Sequence, residues 1–243
     1  MVITSISNPK IKEIIKLREK KYRDLTNTFL VETEHLVSEA YNAKLLKTII
    51  LLDGVKNPYL DIEVIYVNKD LMKKISSLES ISDMMGIVNK KEEELIGNKV
   101  LILDGIQDPG NLGTIIRSSV AFDIDTIILS KNSVDLYNPK VLRSTQGMIF
   151  YKNIIVRDIN KCIGKLKKDN YHVYGTRVNG GNDIKKVILP IKFALVVGNE
   201  GKGISEGILS LCDEYLYIKM NNQCESLNVS VATSILLYEV YNK

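Results

Sequence analysis

The sequence predicts an α/β protein in which short apolar strands alternate with helices. Continuous apolar runs at residues 100–104 (VLILD) and 193–198 (FALVVG) are typical of strands buried on both faces of a parallel sheet. Segments with helical spacing of apolar residues separate such runs, and this alternation indicates a mainly parallel sheet covered by helices. The length of 243 residues allows one large domain or two smaller ones.

The first part of the chain is predicted to be a small α/β domain. Its first helix is expected over residues 9–23, opened by Pro9 after Asn8. The charged run at residues 90–98 ends in Gly-Asn and indicates a boundary, which gives domains 1–95 and 96–243. Further elements of this domain are predicted at residues 29–33, 35–42, 47–53, 63–68, 69–78 and 86–90, of which the second and fifth are helices.

The second domain is predicted to continue the alternation from residue 99. Strands are expected at residues 100–104, 126–130, 154–156, 171–176, 193–198 and 214–219. Helices are expected at residues 111–122, 139–146 and 158–168, with a short helix after residue 205 and a closing helix.

The closing helix has the clearest pattern of the chain. Ser226 is the predicted N-cap, and an apolar stripe at helical spacing predicts a face packed on the core. Asn228 interrupts this pattern, so it is either a structural cross-link or a group that orients a functional residue. The stripe consists of Leu227, Val231, Ile235 and Tyr238.

Composition narrows the class of protein. Apolar residues at 45% and charged residues at 26% are ordinary for a globular protein. We find no signal peptide and no run long enough to span a bilayer, so we expect a cytoplasmic protein without membrane contact. The three cysteines form no CxxC pair and there are only two histidines, so we expect reduced thiols and no metal.

The N-terminal helix is strongly basic. Residues 1–23 carry seven bases and two acids, and four of the bases are predicted to share one helical face. This face is either simply solvated or contacts the phosphates of a nucleic acid. The four bases are Lys12, Lys16, Lys20 and Arg23.

Three polar loops leave apolar strands, at residues 105–117, 198–205 and 219–228. Ligands of open α/β sheets bind at the carboxyl ends of the strands. The glycines of the middle loop fit neither a Walker loop nor a dinucleotide fingerprint. Glu200 in this loop either caps backbone amides or fixes a substrate or an arginine.

Arg117 and Asn111 are the unusual residues of the first loop and its helix. We expect Arg117 on a largely covered helix, where it either forms a salt bridge to Glu200, or binds a phosphate or activates a hydroxyl. Asn111 fits a plain N-cap. No Ser-His-Asp set, Cys-His pair or carboxylate pair stands out, which favours group transfer from an activated donor.

Together the three loops resemble the SpoU/TrmH family of RNA ribose 2′-O-methyltransferases, of the SPOUT class. The family motifs are similar to residues 111–117 (NLGTIIR), 195–203 (LVVGNEGKG) and 218–229 (IKM followed by ESLNV). The N-terminal part resembles the substrate-binding domain that precedes the catalytic domain in many members. The resemblance implies a small L30-like domain, then a SPOUT domain with a C-terminal trefoil knot and a homodimer formed through that domain.

The resemblance also implies a cofactor and roles for particular residues. S-adenosylmethionine would be held by main-chain groups, Arg117 would promote loss of the ribose 2′-OH proton, and no metal would be needed. Asn111, Glu200, Ser226 and Asn228 would orient Arg117 and the nucleoside. The implied cofactor-binding residues are Val196, Gly198, Ile218, Met220, Leu227 and Asn228.

The function that this resemblance implies is methylation of a ribose 2′-OH in RNA, with 23S ribosomal RNA as the leading target. A tRNA 2′-O-methyltransferase, an inactive RNA-binding or ribosome assembly factor on the same scaffold, and a nicotinamide enzyme are the alternatives. The chain departs from the family pattern at four positions. These are Lys219 in place of proline, Asn222 in place of a small residue, and Asp123 and Thr33 in place of glycine.

Overall fold

Two separate sheets, one in each of two units of the chain, form the fold. The computed structural model describes residues 2–243. The first unit comprises the described residues up to Glu92 together with Asp135–Tyr151, and the second comprises Glu93–Val134 and Lys152–Lys243. Residues 135–151, which the sequence analysis assigned to domain 96–243, therefore pack with the N-terminal unit.

The elements follow one another in the order that the pattern predicts, with several short additions. Up to residue 92 they are β1 (Val2–Ile3), α1 (Pro9–Lys16), α2 (Lys20–Thr26), β2 (Thr28–Glu32), α3 (Glu34–Asn42), β3 (Leu46–Leu52), β4 (Glu63–Val67), α4 (Lys69–Ile75) and β5 (Met84–Asn89). Beyond it they are β6 (Lys99–Leu103), α5 (Pro109–Ala121), β7 (Thr126–Ser130), α6 (Pro139–Thr145), a 3-10 helix (Met148–Tyr151), β8 (Asn153–Arg157), α7 (Ile159–Lys168), β9 (His172–Thr176), β10 (Asn182–Asp183), a 3-10 turn (Ile184–Lys186), β11 (Phe193–Val197), α8 (Glu206–Leu209), β12 (Glu214–Tyr217) and α9 (Val229–Tyr241).

The sheet of the first unit is mixed, so the prediction of a mainly parallel sheet is wrong there. Its order is β1-β4-β3-β5-β2, and β5 runs antiparallel to both of its neighbours. Alternating strands and helices do not reveal this, because the direction of β5 depends on the path of the irregular segment after α4.

The predicted first helix is two helices, because the chain breaks after Lys16. Arg23 turns inward and is only 5% exposed. Its guanidinium donates to the carbonyls of Leu17, at 2.9 Å, and Arg18, at 2.6 Å, and pairs with Asp135. Arg23 therefore does not belong to the basic face. Lys12, Lys16 and Lys20 are exposed.

Thr33 and Asp123, which stand where the family pattern has glycine, both adopt backbone conformations that favour glycine. Thr33 has φ of 109° and ψ of 142°, and Asp123 has φ of 55°. Asp tolerates the left-handed region, whereas a β-branched residue at the Thr33 angles is strained. The Thr33 hydroxyl caps α3 by accepting a 3.4 Å hydrogen bond from the Leu36 N–H.

Replacing Thr33 by glycine is expected to stabilise the protein. Relief of the backbone strain, roughly 1–3 kcal/mol, outweighs the few tenths lost with the cap and the entropy cost of glycine. We expect a net gain of about 1 kcal/mol, or about 3 °C in Tm, by thermal denaturation. Thr26→Gly, at an exposed position of α2, should instead lower Tm; equal effects of the two variants would contradict the strain at residue 33.

The sheet of the second unit is parallel throughout, as predicted. Its order is β10-β12-β9-β11-β6-β7-β8, and β6 and β11 are neighbours with Leu103 beside Val197. The three strands β6, β7 and β11 are almost entirely buried, which explains their continuous apolar sequences. Because β6 and β11 end side by side, the loops that follow them leave the sheet together.

The start and the packed face of α9 both differ from the prediction. Asn228, not Ser226, is the N-cap, and its side chain accepts from the N–H groups of Ser230 and Val231. No residue of the predicted stripe is buried: Val231 is 47% and Tyr238 53% exposed, and Leu227 and Ile235 are half-buried. Small residues bring α9 close to α5 instead, where the Ser118 and Ser234 hydroxyls lie 2.7 Å apart. The buried residues of α9 are Ser230, Thr233, Leu236 and Leu237.

None of the helices within residues 2–243 is long and apolar enough to cross a bilayer.

Candidate active site

The loops after β6 and β11 are tied together at the carboxyl edge of the second sheet. The Asn199 amide donates to the Gly105 carbonyl at 2.8 Å, and the Ser205 N–H donates to the Asp104 carboxylate at 2.9 Å. Within the second loop, the N–H groups of Asn199 and Gly203 each donate to the carbonyl of the other at 2.9 Å. This bonding holds the second loop in a tight turn.

Glu200 caps the loop that leads into α5. Its carboxylate accepts from the backbone N–H groups of Gln107 and Asp108 and, at 3.1 Å, from the Asn111 side chain. Partial burial raises the pKa of the Glu200 carboxyl, but these hydrogen bonds outweigh it, and the pKa lies below its ordinary value. Glu200 is therefore a carboxylate at neutral pH. Of the two roles expected for it, the structure shows the cap for backbone amides.

Asn111 joins the second loop to the start of α9. Its side-chain oxygen accepts from the Asn228 amide at 3.0 Å, while its own amide donates to Glu200. Asn111 is not the N-cap of α5; Asp108 is, accepting from the Asn111 N–H at 2.8 Å. Glu200, Asn111 and Asn228 thus form one hydrogen-bonded chain across the three loops predicted from the sequence.

A cavity of about 550 Å³ lies beside these three hydrogen-bonded residues. This volume is typical of sites that bind small molecules. We call it the main cavity. Its wall includes Gly198, where an added Cβ would lie 2.0 Å from the Gly203 carbonyl carbon and 2.1 Å from the Ile204 nitrogen. Residues from the second loop, from the segment after β12 and from α9 line it.

The predicted site residues divide into two groups around the main cavity. Six line it: Gly198, Glu200, Ile218, Met220, Ser226 and Leu227. Four do not: Val196, whose carbonyl accepts from the Thr176 hydroxyl at 3.0 Å, Asn111, Asn228 and Arg117.

Sequence reasoning missed the end of β9 and the segment after it, which also line the main cavity, at Thr176 and at Arg177, Val178 and Asn179. The Arg177 guanidinium lies over the Tyr215 ring, 3.7 Å from its centroid. The rule that ligands bind at the carboxyl ends of parallel strands applies equally to β9 and would have identified this segment.

Arg117 is exposed, in contrast to the covered position expected for it. The salt bridge to Glu200 that was the other prediction is not formed. The Glu200 carboxylate instead accepts hydrogen bonds from the Asp108 N–H and the Asn111 side chain. Within residues 2–243 no hydrogen bond or ion pair of the Arg117 side chain is found. Its guanidinium is therefore open to a partner outside the protomer.

No cluster of three or more potential metal ligands occurs in the part of the chain that the structure describes. The thiols of Cys162, Cys212 and Cys224 are free. Burial raises the pKa of Cys212 to about 11, which makes this thiol a poor nucleophile at neutral pH.

Known proteins resemble this chain over its whole length. A model of the SpoU rRNA methylase family matches residues 98–238, and one of the MRM3-like substrate binding domain matches residues 8–86. The 23S rRNA (guanosine(2553)-2′-O)-methyltransferase RlmP of Bacillus subtilis is 37% identical over 243 residues, which cover 98% of each protein.

Solved structures agree with these matches. An rRNA methyltransferase from Sinorhizobium meliloti with AdoMet bound has a TM-score of 0.86 at 26% identity, covering 100% of this chain and 97% of the other. An RNA 2′-O ribose methyltransferase has a TM-score of 0.83 at 28% identity, covering 100% and 98%.

The fold, the site and these matches define an S-adenosylmethionine-dependent RNA methyltransferase. The chain belongs to the SpoU rRNA methylase family. The family, the class of enzyme and the cofactor inferred from the sequence are confirmed, and the alternatives of an inactive assembly factor and a nicotinamide enzyme are not favoured.

Proposed function

We propose that this protein methylates a ribose 2′-OH of 23S ribosomal RNA in the cytoplasm. The observation that carries the proposal is the similarity to RlmP over the full length of both chains. A tRNA target has no comparable support. Residues 1–95, which we expect to be L30-like, would bind the RNA, and residues 96–243 would perform the transfer; the match of residues 8–86 to a substrate binding domain supports this division.

The main cavity suits S-adenosylmethionine. Its volume accommodates a nucleoside-sized ligand, and the absence of a side chain at Gly198 lets two backbone segments approach each other at its wall. We assign main-chain recognition of the cofactor to the residues inferred above. The residues that would contact the cofactor are Gly198, Ile218, Met220 and Leu227. Val196 and Asn228, which do not line the main cavity, would support its wall.

Arg117 is the residue that we assign to the acceptor. When bound, the cofactor supplies a methyl group activated by its sulfonium. Transfer requires the ribose 2′-OH to lose its proton, and a guanidinium is too basic to remain neutral and take it in water. We infer that Arg117, paired with an RNA phosphate, stabilises the developing alkoxide while the 2′-OH proton passes to water. Ser226 and the hydrogen-bonded set of Asn111, Glu200 and Asn228 would position the nucleoside.

A homodimer would complete the site. Exposed aromatic and aliphatic side chains on α9 form an apolar patch with Phe122, the residue that follows α5. The Phe122 ring centroid is 5.7 Å from that of Tyr238 and 6.1 Å from that of Tyr241. Such a patch is typical of a protein interface. Arg117 is exposed on α5 and does not line its own protomer's main cavity, which is expected if it serves the cavity of a partner subunit.

We also propose that the C-terminal segment is threaded as a trefoil knot. Membership of the SpoU rRNA methylase family, whose sequence resemblance implies this knot, supports the proposal.

Val231→Arg is expected to produce an inactive monomer. Placing an unpaired charge in an apolar interface should weaken dimerisation by about 3 kcal/mol, roughly a hundredfold in Kd. Light scattering would give the mass, and a methyl-transfer assay the activity. Ile188→Arg makes a comparable change at a residue 92% exposed in the same unit and should alter neither. A fully active monomeric Val231→Arg protein would refute the shared site.

The function itself is tested by transfer of labelled methyl from S-adenosylmethionine to 23S rRNA transcribed in vitro, followed by nuclease mapping. Label in one ribose 2′-O position is the expected result. Label confined to tRNA in a parallel reaction, or to a base, would refute the proposed target or the proposed reaction, respectively.

A further inference from the structure

A second cavity lies in the first unit and shares no lining residue with the main cavity. It measures about 390 Å³ and lies between α1, α2 and the sheet. We call it the N-terminal pocket. Its apolar residues are Ile14, Leu17, Tyr22, Leu25, Ile65 and Ile87.

Basic side chains surround the apolar wall of this pocket. Lys10, Lys16 and Lys47 line it and are exposed. The Lys16 ammonium lies over one face of the Tyr22 ring, 5.2 Å from its centroid, so a ligand that contacts the other face or the edge of the ring lies close to a positive charge. Leu25 at the rim is 77% exposed, unusually open for a leucine beside a cavity.

Polar acceptors complete the wall. Glu63 lines the pocket, pairs with Lys10 at 2.8 Å and accepts from the Thr48 hydroxyl at 3.2 Å. Glu13, Thr26 and Thr28 supply further oxygens. Carboxylate and hydroxyl oxygens accept hydrogen bonds from the amino and imino groups of nucleobases.

We propose that the N-terminal pocket holds one unstacked nucleotide of the RNA substrate, with its base against Tyr22 and its phosphate on Lys16. Aromatic faces bind unpaired bases of any sequence, and lysines at the rim neutralise the phosphates beside them. The proposal deepens the function proposed above, since it assigns to residues 1–95 a site for a loop or bulge of ribosomal RNA.

The first test is methyl NMR of the full protein with the tetraribonucleotide pACGU. Resonances of Ile14, Leu17, Ile65 and Ile87 should shift on titration. Shifts elsewhere with these four unmoved would overturn the proposal. Movement of the same resonances with protein concentration alone, without RNA, would assign the pocket to self-association and also overturn it.

The second test compares matched variants by filter binding to a 23S rRNA transcript. Tyr22→Ala should weaken binding about tenfold, whereas Tyr59→Ala, at a tyrosine of the same unit that stacks on Tyr41, should not. Lys16→Ala removes an exposed side chain, so we expect it to leave the fold intact and to lower the salt slope by about one, whereas Lys73→Ala should leave the slope unchanged. Equal RNA affinity of the two tyrosine variants, or equal salt slopes of the two lysine variants, would overturn the proposal.

Wild-type methyl transfer to the same transcript separates the two proposals. If the protein methylates the transcript but pACGU leaves the pocket resonances unmoved, the nucleotide site is refuted and the function stands. If the pocket responds and its variants behave as expected while no methyl is transferred, the nucleotide site stands and the function is refuted.

Discussion

Gly198→Ala is expected to abolish binding of S-adenosylmethionine. The new Cβ would lie 2.0 Å from the Gly203 carbonyl carbon, and backbone atoms cannot move aside as a flexible side chain can. The second loop must then open, which breaks the paired hydrogen bonds between Asn199 and Gly203 and deforms the wall of the main cavity. We expect the Kd for the cofactor to rise at least about a hundredfold, equivalent to about 2.7 kcal/mol.

Isothermal titration calorimetry would measure this loss. Gly164→Ala is the matched control, since this glycine lies in α7 and its added Cβ meets nothing within 4 Å. Alanine there should stabilise the helix by about 0.5–1 kcal/mol and leave cofactor affinity unchanged. A Gly198→Ala protein that binds the cofactor within threefold of the wild type would contradict the close approach described for this loop.

Arg117→Ala is expected to lower methyl transfer by about a hundredfold to a thousandfold, while cofactor affinity stays within about threefold. The reason is that the exposed guanidinium is assigned to the acceptor and does not line its protomer's main cavity. Losses of this size are typical when a group that stabilises developing charge is removed. Single-turnover transfer and calorimetry separate the two effects.

Two further variants sharpen this test. Arg117→Lys keeps the charge but loses the planar fork, so it should recover only part of the activity. Arg157→Ala removes an exposed arginine of the same unit, one that pairs with Glu93, and should transfer methyl normally. Near-normal turnover by Arg117→Ala, or an equal loss in Arg157→Ala, would remove the assigned role.

Much of the site was predictable because it follows from strand direction. Parallel strands bring their carboxyl ends to one edge, so unusual residues after β6 and β11 had to lie near each other, and Glu200 and Asn111 do. The same rule applies to β9, whose following segment carries Arg177 and the Gly180-Gly181 pair, so this part of the cavity wall was also predictable from the sequence. The antiparallel course of β5 had no local signature at all.

The errors on α9 and α2 have a different physical origin. Helical periodicity identifies an apolar face but not what covers it, so Val231 and Tyr238 were assigned to a core that the protomer does not provide. Periodicity likewise placed Arg23 among solvated lysines, although the break after α1 supplies carbonyl acceptors that let its guanidinium be buried. The outcome for each residue depends on partners distant in sequence or in another molecule.

The hydrogen-bonded chain through Glu200, Asn111 and Asn228 has a consequence for dynamics. Each loop is fixed by a bond to the next, so opening one removes a partner from another. Native-state hydrogen exchange should therefore find the amides of Gln107 and Asp108 opening with those of Ser230 and Val231, as one cooperative unit. The three loops would become ordered or open together in a single step. Asn111→Ala should uncouple the exchange of the two pairs of amides.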